Sequence, residues 1–165
     1  MKIAAACMGV LIGLVIAVAS AWADDDVSLT RLAMCQDSWL DMQTKDPAQL
    51  KILRDHLRSA FTQHGTDDFG APNSNISIAG LRVLKLFPDS VGMGVGISMT
   101  VDAPFDKARQ AIEKVAGKPL TKCETGEGMR SCGLEIAEKR TLMLMAEDSP
   151  KATTTLVGCY YLYEK

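Results

Sequence analysis

The chain has 165 residues, 47% of them hydrophobic and 23% charged, with a formal net charge of −2 at pH 7. That length suits one globular unit with a real core. The near-neutral balance, with scattered basic residues, gives no electrostatic footprint for nucleic acid or an anionic membrane.

Lys2 and the apolar run from Ile3 to Val18 lead into Ala21-Trp22-Ala23, a small-x-small pattern, and then Asp24-Asp25-Asp26. This is the layout of a removable export signal, so residues 1–23 are expected to be cleaved and 24–165 to form a single α+β domain. The run is about 16 residues, short of the roughly 20 that cross a bilayer core, and no stable membrane anchor is expected after cleavage. A lipoprotein signal would place its cysteine after the apolar region, whereas Cys7 sits near its start. The expected compartment is the periplasm, with an extracellular location as the alternative.

Cys35, Cys123, Cys132 and Cys159 remain after that cleavage. An even number in an oxidising compartment favours two disulfides. Cys123 and Cys132 flank a Gly-rich turn and are expected to pair, leaving Cys35 to Cys159. Zinc fits poorly, because no Cys-x2-Cys pair is present. The reading calls for no metal and no cofactor.

Ser28 can cap a helix to about Thr44, with Leu29, Leu32, Trp39 and Met42 at helical spacing. Asp46-Pro47, with Gln49 three residues after the aspartate, opens a second helix whose apolar stripe is Leu50, Leu53, Leu57, Ala60 and Phe61, ending at Gly65. The segment from Thr66 to Asn75 reads as a loop. Ile76 to Phe87 and Val91 to Val101 read as strands. In the second, Val91, Met93, Val95, Ile97, Met99 and Val101 should face the core, opposite a small-residue set of Gly92, Gly94, Gly96, Ser98 and Thr100.

Asp102-Ala103-Pro104 begins a third helix, with Phe105, Ala108, Ile112 and Val115 buried and Gly117 as its stop. Leu120 to Glu124, Met129 to Ala137, Arg140 to Ala146 and Ala152 to Tyr163 follow as strands. The expected fold is α+β: an N-terminal helix pair plus a third helix, packed on one face of a mainly antiparallel sheet of about five to six strands. The link from Val101 through the third helix to Leu120 allows one parallel pairing. No internal repeat is visible.

Catalytic chemistry has thin material. His56 and His64, the only histidines, fall on the expected second helix about 12 Å apart, too far to share a metal. Asp67-Asp68 lacks the spacing of a calcium loop. No Gly-x-Ser-x-Gly occurs, and Gly92-x-Gly94-x-Gly96 alternates inside a strand instead of opening a helix. Asn75-Ile76-Ser77 is formally a glycosylation sequon.

The expectation is a non-enzymatic exported protein that binds another protein: a hydrolase inhibitor, a toxin-immunity protein or an envelope accessory factor. Its candidate partner-binding residues are Gly94 and Gly96, Asp67 and Asp68, and Tyr160, Tyr161 and Tyr163, since tyrosine is enriched at interfaces. The alternative is a carrier of an apolar small molecule, with Met93, Met99, Met143 and Met145 lining a pocket between helices and sheet.

Overall fold

A computed structural model describes residues 29–37, 45–64, 68–73, 75–88 and 94–162. The architecture is α+β around an antiparallel sheet of nine strands. A helical turn at 29–33 comes first, followed by α1 (Pro47–Ala60) and by β1 (Phe61–His64), β2 (Asp68–Pro72), β3 (Ser77–Ile78), β4 (Leu81–Pro88) and β5 (Gly94–Val101). Then come α2 (Phe105–Ala116), β6 (Lys122–Gly126), β7 (Met129–Ala137), β8 (Arg140–Glu147) and β9 (Thr155–Leu162). The strand order is β1-β2-β4-β5-β9-β8-β7-β6, with the two-residue β3 paired to β4.

That order contains a repeat invisible in the sequence. A helix followed by an antiparallel meander occurs twice, as α1 with β1-β2-β4-β5 and as α2 with β6-β7-β8-β9. The two units join through their last strands, β5 and β9, in antiparallel register from Gly94–Leu162 to Val101–Thr155. They are therefore related by an approximate two-fold axis between β5 and β9, and β3 is an insertion in the first.

The local signals account for most elements. The Asp46 carboxylate accepts a hydrogen bond from the Gln49 amide at 3.0 Å, and Pro47 occupies the first turn of α1. Gly117 closes α2 in the left-handed conformation, φ 66°. Ala79-Gly80 and Glu127-Gly128 take positive φ at both positions, the geometry of two-residue hairpin turns.

Several expectations need correction. The second helix stops at Ala60, and Phe61 to His64 is strand, so His64 lies on β1 and not on the helix that carries His56. The expected loop at 66–75 contains β2, because Phe61, Gln63 and His64 pair with Pro72, Phe69 and Asp68. Ile76 to Phe87 is broken by the Ala79-Gly80 turn into β3 and β4. Among the described residues the sheet therefore has nine strands, not five or six. All described pairings are antiparallel, and β6 lies at the far edge of the sheet from β5, so α2 links no parallel pair. Val115 is 42% exposed, and Ala111 and Ala116 pack against the core in its place. The first helical segment ends at 33, with Met34-Cys35 in a turn and Cys35 at φ 57°. Residues 38–44 lie outside the described set, as does the way that segment meets α1.

Register sorts the central side chains into two faces, because directly paired residues point the same way. One face carries Ile97, Met99, Val101, Val157, Cys159, Leu142, Leu144 and Cys132. All are buried, in one cluster with Leu50 and Leu57 of α1 and Phe105, Ala108 and Ile112 of α2. The buried Thr155 hydroxyl donates to the Ala103 carbonyl at 2.8 Å, fixing the chain before α2 to β9. After α2, the Glu113 carboxylate accepts from the Leu120 amide and from Arg109 Nε, both at 2.8 Å, while Arg109 Nη2 donates to the Leu120 carbonyl. This clamp holds the entry to β6 against the helix.

The disulfides are Cys35–Cys159, spanning 124 positions, and Cys123–Cys132, spanning nine. Two intramolecular disulfides fit an exported protein of an oxidising compartment.

Candidate functional site

The opposite face of the β5–β9–β8 centre has a different chemistry. Gly96 faces Tyr160, Ser98 faces Gly158, Tyr160 faces Thr141 and Gly158 faces Met143. Met143, Met145 and Leu156 are half-buried here and lie outside the helix-side core cluster. The two glycines are sterically required. A Cβ on Gly96 would lie 1.9 Å from the Cys159 carbonyl oxygen, and one on Gly158 would lie 2.6 Å from that of Ile97. Only glycine lets β5 and β9 approach in this way.

Two hydroxyls sit within this small-residue region. Ser98 is fully buried and Tyr160 is 3% exposed, and among the described residues neither Ser98 Oγ nor the Tyr160 hydroxyl has a hydrogen-bond partner of ordinary geometry. Burial pushes the Tyr160 phenol up to about 12, since the charged phenolate is the form disfavoured by lost water. The nearby Ser98 hydroxyl pulls in the other direction, as a weak contact and not a formed bond.

The expected site residues distribute as follows. Gly94 and Gly96 on β5 stand directly beside Leu162 and Tyr160 on β9, so the glycine strand and the tyrosine strand are neighbours at the centre of the sheet. Tyr160 and Tyr161 point to opposite faces. Tyr161 packs against the helix-side core, its hydroxyl 3.4 Å from Arg140 Nη1. Asp68 begins β2, two strands from β5, in register with His64. Asp67 and Tyr163 lie outside the described residues. Gly158 was not singled out in the sequence, yet its place in Val157-Gly158-Cys159-Tyr160 held a usable signal: a lone glycine inside a strand, on the same face as Tyr160.

A surface pocket of about 350 Å³ lies elsewhere, between Pro72, Asn73 and Asn75 on one side and Arg82 and Leu84 on the other. Two of its polar side chains, Asn73 and Arg82, are engaged in the fold. Asn73 donates to the Ser59 carbonyl and accepts from Thr62, and Arg82 pairs with Asp102. The four methionines of the carrier alternative do not share a wall: Met99 is in the helix-side core, Met143 and Met145 are on the other face, and Met93 is outside the described residues.

Acidic side chains are committed to structural pairs, Asp37 with Arg31, Asp106 with Arg130, and Glu135 with Lys122. Arg130 also lies 4.6 Å over the Phe105 ring, tying β7 to α2. Among the described residues, no group of three or more His, Cys, Asp or Glu side chains could hold a metal ion, and no helix is long and apolar enough to cross a membrane. Comparison of the chain with protein-family models, curated proteins and solved structures finds no match.

Proposed function

We propose that this chain is an exported, non-enzymatic binding protein of a Gram-negative periplasm whose partner is another protein. A hydrolase inhibitor, a toxin-immunity protein and an envelope accessory factor are the forms that suit such a domain. The observation that carries the reading is the second face of the β5–β9–β8 centre. It presents half-buried Met143, Met145 and Leu156 around a glycine-smoothed floor, outside the core that the helices complete. Flexible, half-buried methionines suit a surface that adapts to a partner. The disulfides supply the link to export, and the engagement of Asp37, Asp106, Glu113 and Glu135 in structural pairs favours binding over acid–base chemistry. The small-molecule carrier has weaker support, because its methionines divide between two faces.

The test uses the full chain, tagged at its C-terminus and expressed in a Gram-negative host. Mass measurement should find residues 1–23 absent and four cysteines bonded. Crosslinking in the envelope should then trap a protein partner with wild type, but not with a Met143→Asp, Met145→Asp variant that retains its far-ultraviolet circular dichroism. Capture undiminished by those charges removes this surface from the proposal, and a retained leader removes the compartment.

A further inference from the structure

The two disulfides occupy opposite environments. Cys35 is fully buried and Cys159 is 2% exposed, both within the helix-side core. Cys132 is also buried, but its partner Cys123 is exposed, on a strand whose five residues are all exposed. Among the described residues that strand, β6, is the last of the sheet and pairs only with β7. We propose that Cys123–Cys132 is a site of thiol–disulfide exchange with an external dithiol, that Cys123 Sγ is the sulfur attacked, and that Cys35–Cys159 stays closed under the same conditions.

Access decides which sulfur reacts, since exchange needs a thiolate to approach a disulfide sulfur. The dithiol's first sulfur bonds to Cys123 Sγ as the Cys123–Cys132 bond breaks. Cys132 leaves with the electron pair and takes up the proton the attacking thiol gave up. The dithiol's second sulfur then displaces Cys123, so the dithiol ends oxidised to a disulfide and both cysteines end as thiols. The surroundings let the strand survive this. Its entry stays clamped at Leu120 by Glu113 and Arg109, and Lys122 bridges to Glu135 at 2.8 Å. Cys123 Sγ lies 3.5 Å from the Leu120 carbonyl oxygen, an acceptor for the S–H that reduction creates.

The experiment treats the oxidised, processed protein with graded dithiothreitol, quenches with an alkylating agent and maps labelled peptides by mass. Cys123 and Cys132 should be labelled at a reductant concentration at least about tenfold below that needed for Cys35 and Cys159. Both bonds opening together, or Cys35–Cys159 opening first, overturns the proposal. Single variants test the assigned sulfur. Cys132→Ser should take up one glutathione from glutathione disulfide at Cys123, whereas Cys123→Ser should leave Cys132 at least about tenfold slower. Equal rates overturn the assignment. Repeating the titration with a reduced thioredoxin-fold protein separates the sources. Selective opening by both reductants assigns a protein dithiol, and selective opening by dithiothreitol alone assigns a small one.

Discussion

The two helix-plus-meander units differ in how firmly their strands are joined. In the second, β7 and β8 pair from Met129–Glu147 to Ala137–Arg140, with one register shift between Glu135 and Ala137, and the Glu127-Gly128 turn and a disulfide close β6 onto β7. In the first, β2 and β4 meet in one described pair, Phe69 with Leu86, and the pocket lined by Pro72 and Arg82 lies where they part. The cause is composition. β2 reads Asp-Phe-Gly-Ala-Pro, with a proline that cannot donate to a ladder and a glycine that adds nothing to pack. β8 reads Arg-Thr-Leu-Met-Leu-Met-Ala-Glu, alternating cleanly between faces. The same topology therefore yields one tight and one looser half, and native-state hydrogen exchange should protect β7 and β8 more than β1 and β2.

The largest expected effect comes from what joins the halves. Cys35 precedes the first unit and Cys159 lies in the last strand of the second. Replacing both with serine releases a loop of about 125 residues and should cost about 5 kcal/mol in the loop-entropy account, read as a lower urea midpoint under non-reducing conditions. Both halves should lose protection. Loss confined to one half would show that the junction is held by the β5–β9 ladder alone. That ladder has its own test in Gly96→Ala. Its methyl would meet the Cys159 carbonyl oxygen, so β5 and β9 must move apart at a cost of about 3 kcal/mol. An alanine tolerated without change in the urea midpoint would contradict the close approach.

The contrast between halves also marks what the sequence could disclose. The Asp46 cap, the Gly117 stop, the alternation of Ile97, Met99 and Val101 and both cysteine pairings were legible, because each depends on residues near one another or on counting. β1 and β2 were not. Phe61 belongs to the apolar stripe of α1 by spacing, and it becomes strand only because Pro72 pairs with it from a segment whose composition reads as loop. The repeat was hidden for the same reason, since topology can recur without any residue recurring. Of the candidate site, the adjacency of Gly96 and Tyr160 was not legible, as it depends on β9 returning beside β5 across α2 and three strands. Val115 failed by phase: the buried stripe of Phe105, Ala108 and Ile112 continues to Ala116, four residues after Ile112, and leaves Val115 on the exposed side.

A smaller effect should follow from opening the tight half alone. Cys123→Ser with Cys132→Ser releases a loop of about ten residues, costing about 2.5 kcal/mol at most. Exchange should rise in β6 and β7 and stay unchanged in β1 and β2; a rise across the whole sheet would make the edge bond a global staple. Glu113→Gln should cost less, about 1 kcal/mol, because glutamine keeps an acceptor for the Leu120 amide but loses the charge that Arg109 faces. Arg109 and then the Leu120 amide hold the Glu113 carboxyl below its ordinary 4.5. A carboxyl lowered by folding stabilises above its unfolded value, and that contribution is lost as pH falls through the folded one. The variant's deficit should therefore be present at neutral pH and shrink in acid below 4.5, as read from thermal midpoints at both. A deficit independent of pH would assign the clamp to shape instead of charge.

The smallest effect at neutral pH concerns the centre shared by both halves. The Tyr160 hydroxyl is buried without a formed hydrogen bond, so Tyr160→Phe removes an unsatisfied polar group and should leave stability equal or raise it by up to about 1 kcal/mol. Its signature is at high pH. Burial raises the phenol from 10 to about 12, so folding favours the protonated ring. The stability tied to that preference is complete below 10 and is lost as pH rises toward about 12. Wild type should lose urea stability across that interval, and Tyr160→Phe should lose less, with the difference between the two curves isolating this ring. Parallel curves would mean that Tyr160 reaches water in the folded state, and the floor of the β5–β9 face would then be open where the structure has it closed.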